Sequence, residues 1–368
     1  MSLPHVIELS GSPFERGVAY GEGLAKVIVE RDRLWKSVLS EEWKISDPVS
    51  AFLKGTDFLP AIKAHAPDLL EEVQGIAAGS GLTFEDILAC QLMDEEWIYS
   101  RHISEKHHCS ALGSVDGTHG VIGQNMDLIG WMDGFQTVLK MRDGKTGLET
   151  IVLTVAGMIG LCGVNSAGLG LCVNTLSSLN SAANGLPVAF VARSLLEKTS
   201  VGEATSFLQT VPHASGQNYL LADGKLIAGY ECSASGCIPW ANNASKPNRR
   251  WHTNHPLASR DLAPLEGRDE VAGSQDGSRL RQSRLEAFLS GTENVTVGAL
   301  ETILADKENV PDSICRTLAE AHAHGRQGFT FAGAIWSVGK NPSAFVTGGP
   351  PDTTPWVAIE FPGMLGHR

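Results

Sequence analysis

The residues of this 368-residue chain best suited to chemistry gather around one cysteine. Cys109 opens the strand-like run CSALGSV, and eighteen residues on, the run Gly123-Gln124-Asn125-Met126-Asp127 ends in polar groups. Adjacent strands of this kind would bring the Asp127 carboxylate beside the start of the Cys109 strand. Further along, Trp251-His252-Thr253-Asn254-His255-Pro256 gathers amide and imidazole groups just ahead of a long loop. A thiol of ordinary pKa, about 8.5, is little ionised at neutral pH, so nucleophilic work at Cys109 demands a base. His252 and His255 read as residues that order their loop rather than carry protons.

Other chemistries find less support. The seven cysteines are odd in number and include no C-x-x-C pair, which argues against a disulfide framework or a four-cysteine zinc site and fits a reducing cytoplasm. Cys162 and Cys172 lie in apolar runs and read as small buried hydrophobes. His102, His107 and His108 form one histidine cluster, and His322 and His324 another. Neither has the H-E-x-x-H spacing of a metal-binding helix, so no metal is expected. The glycine-rich GVNSAGLG lacks the lysine of a phosphate loop and the strand–helix context of a dinucleotide site, so no cofactor is expected either. The eight tryptophans read first as core filling and second as the wall of an acyl pocket.

A net charge of −12 supplies no basic footprint for nucleic acid or an anionic membrane. The N-terminus carries no secretory pattern. Residues 150–192 contain no charge at all, yet glycines, asparagines and serines interrupt them, and such breaks would strand backbone polar groups in lipid. Buried strands joined by turns fit this stretch better.

The elements that must position these residues change character at 108/109. Ser12-Pro13-Phe14-Glu15 is a capping box with proline at the first helical position, opening a helix expected to reach about Trp43. A second helix is expected from Phe58 to Ala78, broken at Pro67 and ended by Gly79, and a third from Thr83 to about Tyr99. From Cys109 the texture is short strands between Gly, Asp and Asn turns, resuming at 218–233 and closing at about 328–361. Helices are expected near 187–198, 202–210, 279–289 and 297–306, and a polar loop at 256–277. Glycine is abundant, 40 residues in all, well above the roughly 7% of average chains. Helices with hairpin-linked strands favour an α+β layered sandwich over a wound parallel sheet.

In order and spacing, GVAYGEGLA, PDLLEEVQGIAAGSGLTFEDIL, the Cys109-to-Asp127 interval, GVNSAGLGLCVN, NYLLAD, HTNH and AGAIWSV together resemble the acyl-coenzyme A:6-aminopenicillanic acid acyltransferase family of N-terminal-nucleophile proteins. The resemblance covers nearly the whole chain. It implies a four-layer αββα sandwich, made as a precursor that cuts itself before the nucleophilic cysteine. Residues 1–108 would then form a helix-rich first subunit and 109–368 a second, within one structural domain. By the same resemblance Cys109 is the nucleophile, Asn254 the oxyanion-hole side chain and Asp127 the group that orients the new amine. An arginine near the site is also implied, with Arg326 the best match. One departure stands out: His107-His108 precede the cysteine where the family usually has glycine, which eases a strained scissile backbone.

The cut would serve nucleophilic catalysis directly. Freeing the nitrogen of Cys109 makes an α-amine of pKa about 7.7–8.0, close enough to act as the base the thiol needs. The expectation is therefore an amidohydrolase acting on a small N-acyl amine or N-acyl amino acid through an acyl-thioester at Cys109. Its partners would be that substrate and its own cleaved N-terminal segment, with a homo-oligomer also open. The alternatives are an acyltransferase, a metal-dependent amidase using the histidine clusters, and an uncleaved binding protein of the same fold.

Overall fold

A computed structural model describes residues 3–99, 109–242, 246–263 and 268–363. The His107-His108 pair and the proposed cut lie outside the described residues, as does His102.

The N-terminal segment holds strand β1 (His5–Gly11) and helices α1 (Pro13–Gly23), α2 (Ala25–Trp43), α3 (Pro48–Lys54), α4 (Leu59–His65), α5 (Pro67–Ser80), α6 (Phe84–Cys90) and α7 (Met93–Tyr99). The capping box forms as its residues require: the Ser12 hydroxyl accepts from the Glu15 N–H while the Glu15 carboxylate accepts from the Ser12 N–H. The single helix expected as far as Trp43 is two, divided at Leu24, whose backbone leaves helical geometry. Pro67 starts α5 as expected, but that helix runs past Gly79 and ends at Gly81, which takes up a left-handed φ of 77°.

Gly79 has another task. Gly17 and Gly21 of α1 face Gly75 and Gly79 of α5, at one-turn spacing on both helices, and the two backbones nearly touch. A Cβ on Gly75 would sit 2.2 Å from the Phe14 carbonyl oxygen, and one on Gly17 only 2.0 Å from that of Glu72. The contact is fastened by Glu72, fully buried, which accepts from Arg16 at 3.0 Å and from Arg193 at 3.2 Å. Removing one member of such a buried set strands the charge of the others.

Beyond residue 108 come β2 (Ser110–Val115), β3 (His119–Ile129), β4 (Gln136–Asp143), β5 (Glu149–Val155), β6 (Cys162–Asn165) and β7 (Gly170–Thr175). Helices α8 (Val188–Leu195) and α9 (Val201–Thr210) follow, then β8 (Gln217–Ala222), β9 (Ile227–Ser233), β10 (Gly236–Trp240) and β11 (Arg249–His252). The chain closes with α10 (Arg268–Gly291), α11 (Val297–Leu304), α12 (Leu318–Ala323), β12 (Gly328–Gly339), β13 (Ser343–Val346) and β14 (Val357–Ile359). Strands β1, β10 and β11 are absent from the sequence expectation, and α10 begins inside the stretch expected to be loop. Its first turns, RDEVAGSQDGS, carry too few apolar residues to show a helical stripe.

The strands form two sheets, ordered β1-β4-β5-β6-β7-β8-β9-β10 and β11-β2-β3-β12-β13-β14. Strands β2, β3 and β12 pack face to face on β6 to β9, with α8 and α9 on the outer face of the larger sheet and α10, α11 and α12 on that of the smaller. This is the α+β, four-layer αββα sandwich that the resemblance implies. The uncharged 150–192 stretch supplies β5, β6 and β7 to its middle, buried throughout. No helix among the described residues is long and apolar enough to cross a membrane. The first segment is woven in, because β1 lies parallel to β4 as the edge strand of the larger sheet.

Replacing Gly75 with alanine should lower stability by about 3 kcal/mol, the upper range for overpacking a tight contact. Gly298→Ala, where an added Cβ meets nothing within 4 Å, should leave stability unchanged or slightly raised. Equal midpoints for both variants in denaturant unfolding would disprove the close-contact reading.

Candidate active site

Strand register assembles the site. Strand β11 pairs antiparallel with β2 so that His252 lies opposite Ala111. Continuing that register by two residues sets Asn254 opposite Cys109. On the other side of β2, β3 places Asn125 opposite Ser110, so Asp127 passes the start of the Cys109 strand. The Cys109 Sγ lies 3.9 Å from the main-chain oxygen of Asp127.

Side-chain alternation then divides the groups between two faces. Cys109, Gln124, Met126 and Leu128 point between the sheets, into a small cavity closed by Met93, Asp94 and Trp97 of α7 and by Val173 and Thr175 of β7. Asp127, Asn125 and Ser110 point to the helix-covered face. There the Asp127 carboxylate meets Arg316 at 3.6 Å, both residues only 1% exposed. A register shift in β12 between Thr330 and Ala332, opposite Asp127 and Met126, bends the sheet at this point.

Arg281 of α10 is the tie between faces and loop. One of its nitrogens, Nη1, donates to the Cys109 carbonyl at 2.7 Å and to the Ser110 hydroxyl at 3.0 Å; Nη2 donates to Asn254 Oδ1 at 3.1 Å. The same amide donates from Nδ2 to the Thr175 carbonyl at 3.0 Å. With an arginine on its oxygen and a carbonyl on its nitrogen, the amide can face only one way. One Nδ2 hydrogen remains beyond that bond.

The loop that carries Asn254 is held at several points. His252 Nδ1 reaches the Thr253 carbonyl at 2.7 Å, so that nitrogen must donate, and Nε2 lies 2.9 Å from the buried Glu231 carboxylate. Glu231 also accepts from the Ala258 and Ser259 amides at 3.0 and 2.6 Å. Burial works to raise its pKa, but His252 and the amides of Ser259 and Leu257 carry it below the ordinary value. His255 bonds Ser278 of α10 at 2.8 Å, and burial with the neighbouring His252 lowers its pKa to about 4, leaving it neutral. Both histidines thus order the loop.

Burial pushes the Cys109 thiol up to about 12, and the Asp127 charge adds to the rise. Burial likewise raises Asp127 to about 6 against the opposing pull of Arg316 and Arg281, while Arg281 is lowered to about 10, chiefly by burial, and stays charged. The buried thiol is therefore held protonated at neutral pH.

Of the residues picked out in the sequence, Cys109, Asp127 and Asn254 meet here. Arg326 sits in the turn after α12, its amide bonded to the Ala321 carbonyl at 2.8 Å, and the arginines around Asp127 are Arg281 and Arg316. Nothing local in the sequence marks those two, since one lies mid-helix and the other in a loop. His322 and His324 lie at the end of α12, the second as its C-terminal cap.

A model of the family described as acyl-coenzyme A:6-aminopenicillanic acid acyl-transferase matches residues 115–326, more than half of the chain. The match begins at the last residue of β2, downstream of Cys109, and includes Asp127, Asn254, Arg281 and Arg316. The 40 kDa form of acyl-coenzyme A:6-aminopenicillanic-acid acyltransferase from Emericella nidulans is 27% identical over 270 residues, 72% of this chain and 71% of its own. Among solved structures, a conjugated bile acid hydrolase from Clostridium perfringens aligns over 68% of this chain and 97% of its own, with a TM-score of 0.39 and 14% identity. A penicillin V acylase from Agrobacterium tumefaciens aligns over 68% and 86%, with a TM-score of 0.34 and 13% identity. The protein is an enzyme of the acyl-transferring class. The chain belongs to the acyl-coenzyme A:6-aminopenicillanic acid acyl-transferase family.

Helix α7 brings a buried acid beside the cavity wall. Glu95 accepts from the Val188 amide at 3.0 Å and the Ser215 hydroxyl at 2.7 Å through one oxygen, and its other oxygen makes no hydrogen bond among the described residues. Burial, and then the Asp94 charge, raise its pKa from 4.5 to about 7. The native state therefore holds this proton more tightly than the unfolded chain. The stability it confers is full below about pH 4.5 and lost as pH rises through 7. At about 1.4 kcal/mol per pH unit the loss is on the order of 3 kcal/mol. Glu95→Gln should be more stable than wild type at pH 8 by about that amount, with the gap closing toward pH 4.5. Denaturant unfolding at the two pH values checks this, and a gap independent of pH would refute it.

Proposed function

We propose that the chain is a self-cleaving N-terminal-nucleophile amidohydrolase, which cuts its 108/109 bond and then works through an acyl-thioester at Cys109 on a small N-acyl amine or N-acyl amino acid. The observation that carries this reading is the Cys109 thiol facing a cavity at a strand end where the buried Arg281 ties the Cys109 carbonyl to the Asn254 amide. Family membership supports the acyl chemistry. The high pKa of the buried thiol supports the need for a base created by cleavage.

In this reading the free α-amine of Cys109 takes the thiol proton, and the sulfur adds to the substrate carbonyl carbon. Oxygen takes the displaced electron pair as an oxyanion and accepts from the remaining Asn254 Nδ2 hydrogen, with the Arg281 charge behind that amide. Collapse breaks the carbon–nitrogen bond, the α-ammonium returns its proton to the leaving amine, and a thioester remains. Water deprotonated by the same amine then adds to the thioester and releases the acid and the thiol. Asp127, on the far face of the strand, supports the charge of the ammonium. Arg316 holds Asp127 in place.

Hydrolysis and acyl transfer share the thioester and differ in whether water or an amine resolves it. The cavity at Cys109 is small and carries the Asp94 carboxylate on its wall, which suits a compact substrate with a hydrogen-bonding or cationic group. The first segment should stay bound after the cut, because β1 is paired in the larger sheet and α7 forms part of the cavity wall.

Intact mass under denaturing conditions tests the reading. Wild type should give two fragments, residues 1–108 and 109–368, and Cys109→Ala a single chain. An uncut wild type of full length would favour the uncleaved binding protein instead. Once cleavage is established, Asn254→Ala should lower kcat by about 10²–10³, the usual loss for one oxyanion donor. An Asn254→Ala enzyme with wild-type kcat would remove that residue from the mechanism.

A further inference from the structure

Away from Cys109, the β9–β10 hairpin carries a second cysteine chemistry. Cys232 and Cys237 stand directly opposite each other across its two strands, their sulfurs 2.8 Å apart. His213 approaches from the loop after α9, and its ring and the two sulfurs each offer a ligand atom within 4.8 Å of the others, the one such grouping of three among the described residues.

The histidine decides what this grouping can do. His213 Nε2 lies 2.9 Å from the Leu208 carbonyl, an atom that can only accept, so Nε2 carries the hydrogen. Nδ1 therefore holds a lone pair. It is buried, His213 being 3% exposed, and has no hydrogen-bond partner. An orphaned acceptor in the interior is costly unless something binds it. A carbonyl fixing the far nitrogen of a histidine is how proteins hold an imidazole in its metal-binding tautomer. Cys232 is buried and Cys237 only partly so, which leaves one side of the grouping open to solvent.

We propose that Cys232, Cys237 and His213 Nδ1 form a site for a thiophilic divalent ion of the zinc class, with solvent in the fourth position. Binding releases the two thiol protons to solvent, so that two thiolates and a neutral imidazole face the ion. Zinc–sulfur bonds of about 2.3 Å in a tetrahedron set the sulfurs about 3.8 Å apart, so the pair opens by about 1 Å on binding. Strand β10 is the free edge of its sheet and can yield that distance.

The test uses the full-length protein, reduced and metal-free, titrated with Co2+ as a spectroscopic probe and with Zn2+ against a chromophoric chelator. One Co2+ per chain with a near-ultraviolet thiolate-to-cobalt charge-transfer band is expected, displaced by Zn2+. The band should persist in Cys109→Ala and vanish in Cys237→Ser, while Zn2+ affinity falls roughly tenfold or more in His213→Gln. Circular dichroism checks that each variant is folded, and Cys232→Ala serves if His213→Gln is not. Binding unaltered by Cys237→Ser, absence of the band in wild type, or a mass loss of two hydrogens showing a 232–237 disulfide that resists reduction would each overturn the proposal.

Discussion

A single guanidinium, that of Arg281, holds the parts of this site in one place. It is 1% exposed, and it joins the Cys109 carbonyl, the Ser110 hydroxyl and the Asn254 amide across β2, the loop after β11, and α10. Taking such a cation from water is expensive unless acceptors surround it and charge offsets it. The acceptors are the site itself, and the offset comes from Asp127, whose carboxylate acts on Arg281 and on Arg316. The dependence is mutual, since Arg281 holds the Asn254 oxygen while the Thr175 carbonyl holds its nitrogen. Position, orientation and charge at Cys109 therefore rest on one residue about halfway along a long helix.

The sandwich makes this economical. Because β2 is flanked by its hairpin partner β3 and by the sequence-distant β11, strand pairing brings both to the start of one strand. Pleating then separates their duties. The thiol looks into the cavity between the sheets, and the carboxylate and arginines lie on the helix-covered side, where charge is met by hydrogen bonds. The cavity is completed by α7, from the segment that precedes Cys109 in sequence. A bond broken at 108/109 would thus fall in the chain between the cavity wall and Cys109, and the sheet pairing of β1 with β4 resists the loss of the wall.

Much of this was legible in the sequence. The capping box at Ser12, the turn glycines, the runs of alternating strands and the switch at residue 109 report local conformation, which is what short-range pattern encodes. Cys109, Asp127 and Asn254 could be named because each sits in a recognisable run that also carries the family resemblance. The arginines could not. Arg281 lies on a helix whose first turns are polar, and Arg316 lies in a loop, and what selects them over Arg326 is tertiary register alone. The α1–α5 contact hid for a similar reason: Gly79 reads as a helix stop when considered alone and as half of a close approach only when Val18 is set against it. Strand β11 was missed because RRWH offers only one apolar side chain to alternate.

The cysteines show how environment, rather than residue type, assigns chemistry. Cys162 and Cys172 are fully buried among apolar strands, where burial drives their pKa far up and leaves them inert, as their setting in the sequence suggested. Cys109 is nearly as buried, yet it stands at a strand end among charged groups, and a free amine at its own backbone would put a proton acceptor within one residue. Cys232 and Cys237 lie five residues apart, a spacing that signals nothing by itself. A two-residue turn folds them into direct opposition, and a histidine well upstream of the first brings a ring nitrogen near both sulfurs. The same thiol is thus packing in the first pair and, as proposed, a nucleophile at the strand end and a ligand in the hairpin, and in each case the deciding neighbours come from elsewhere in the chain.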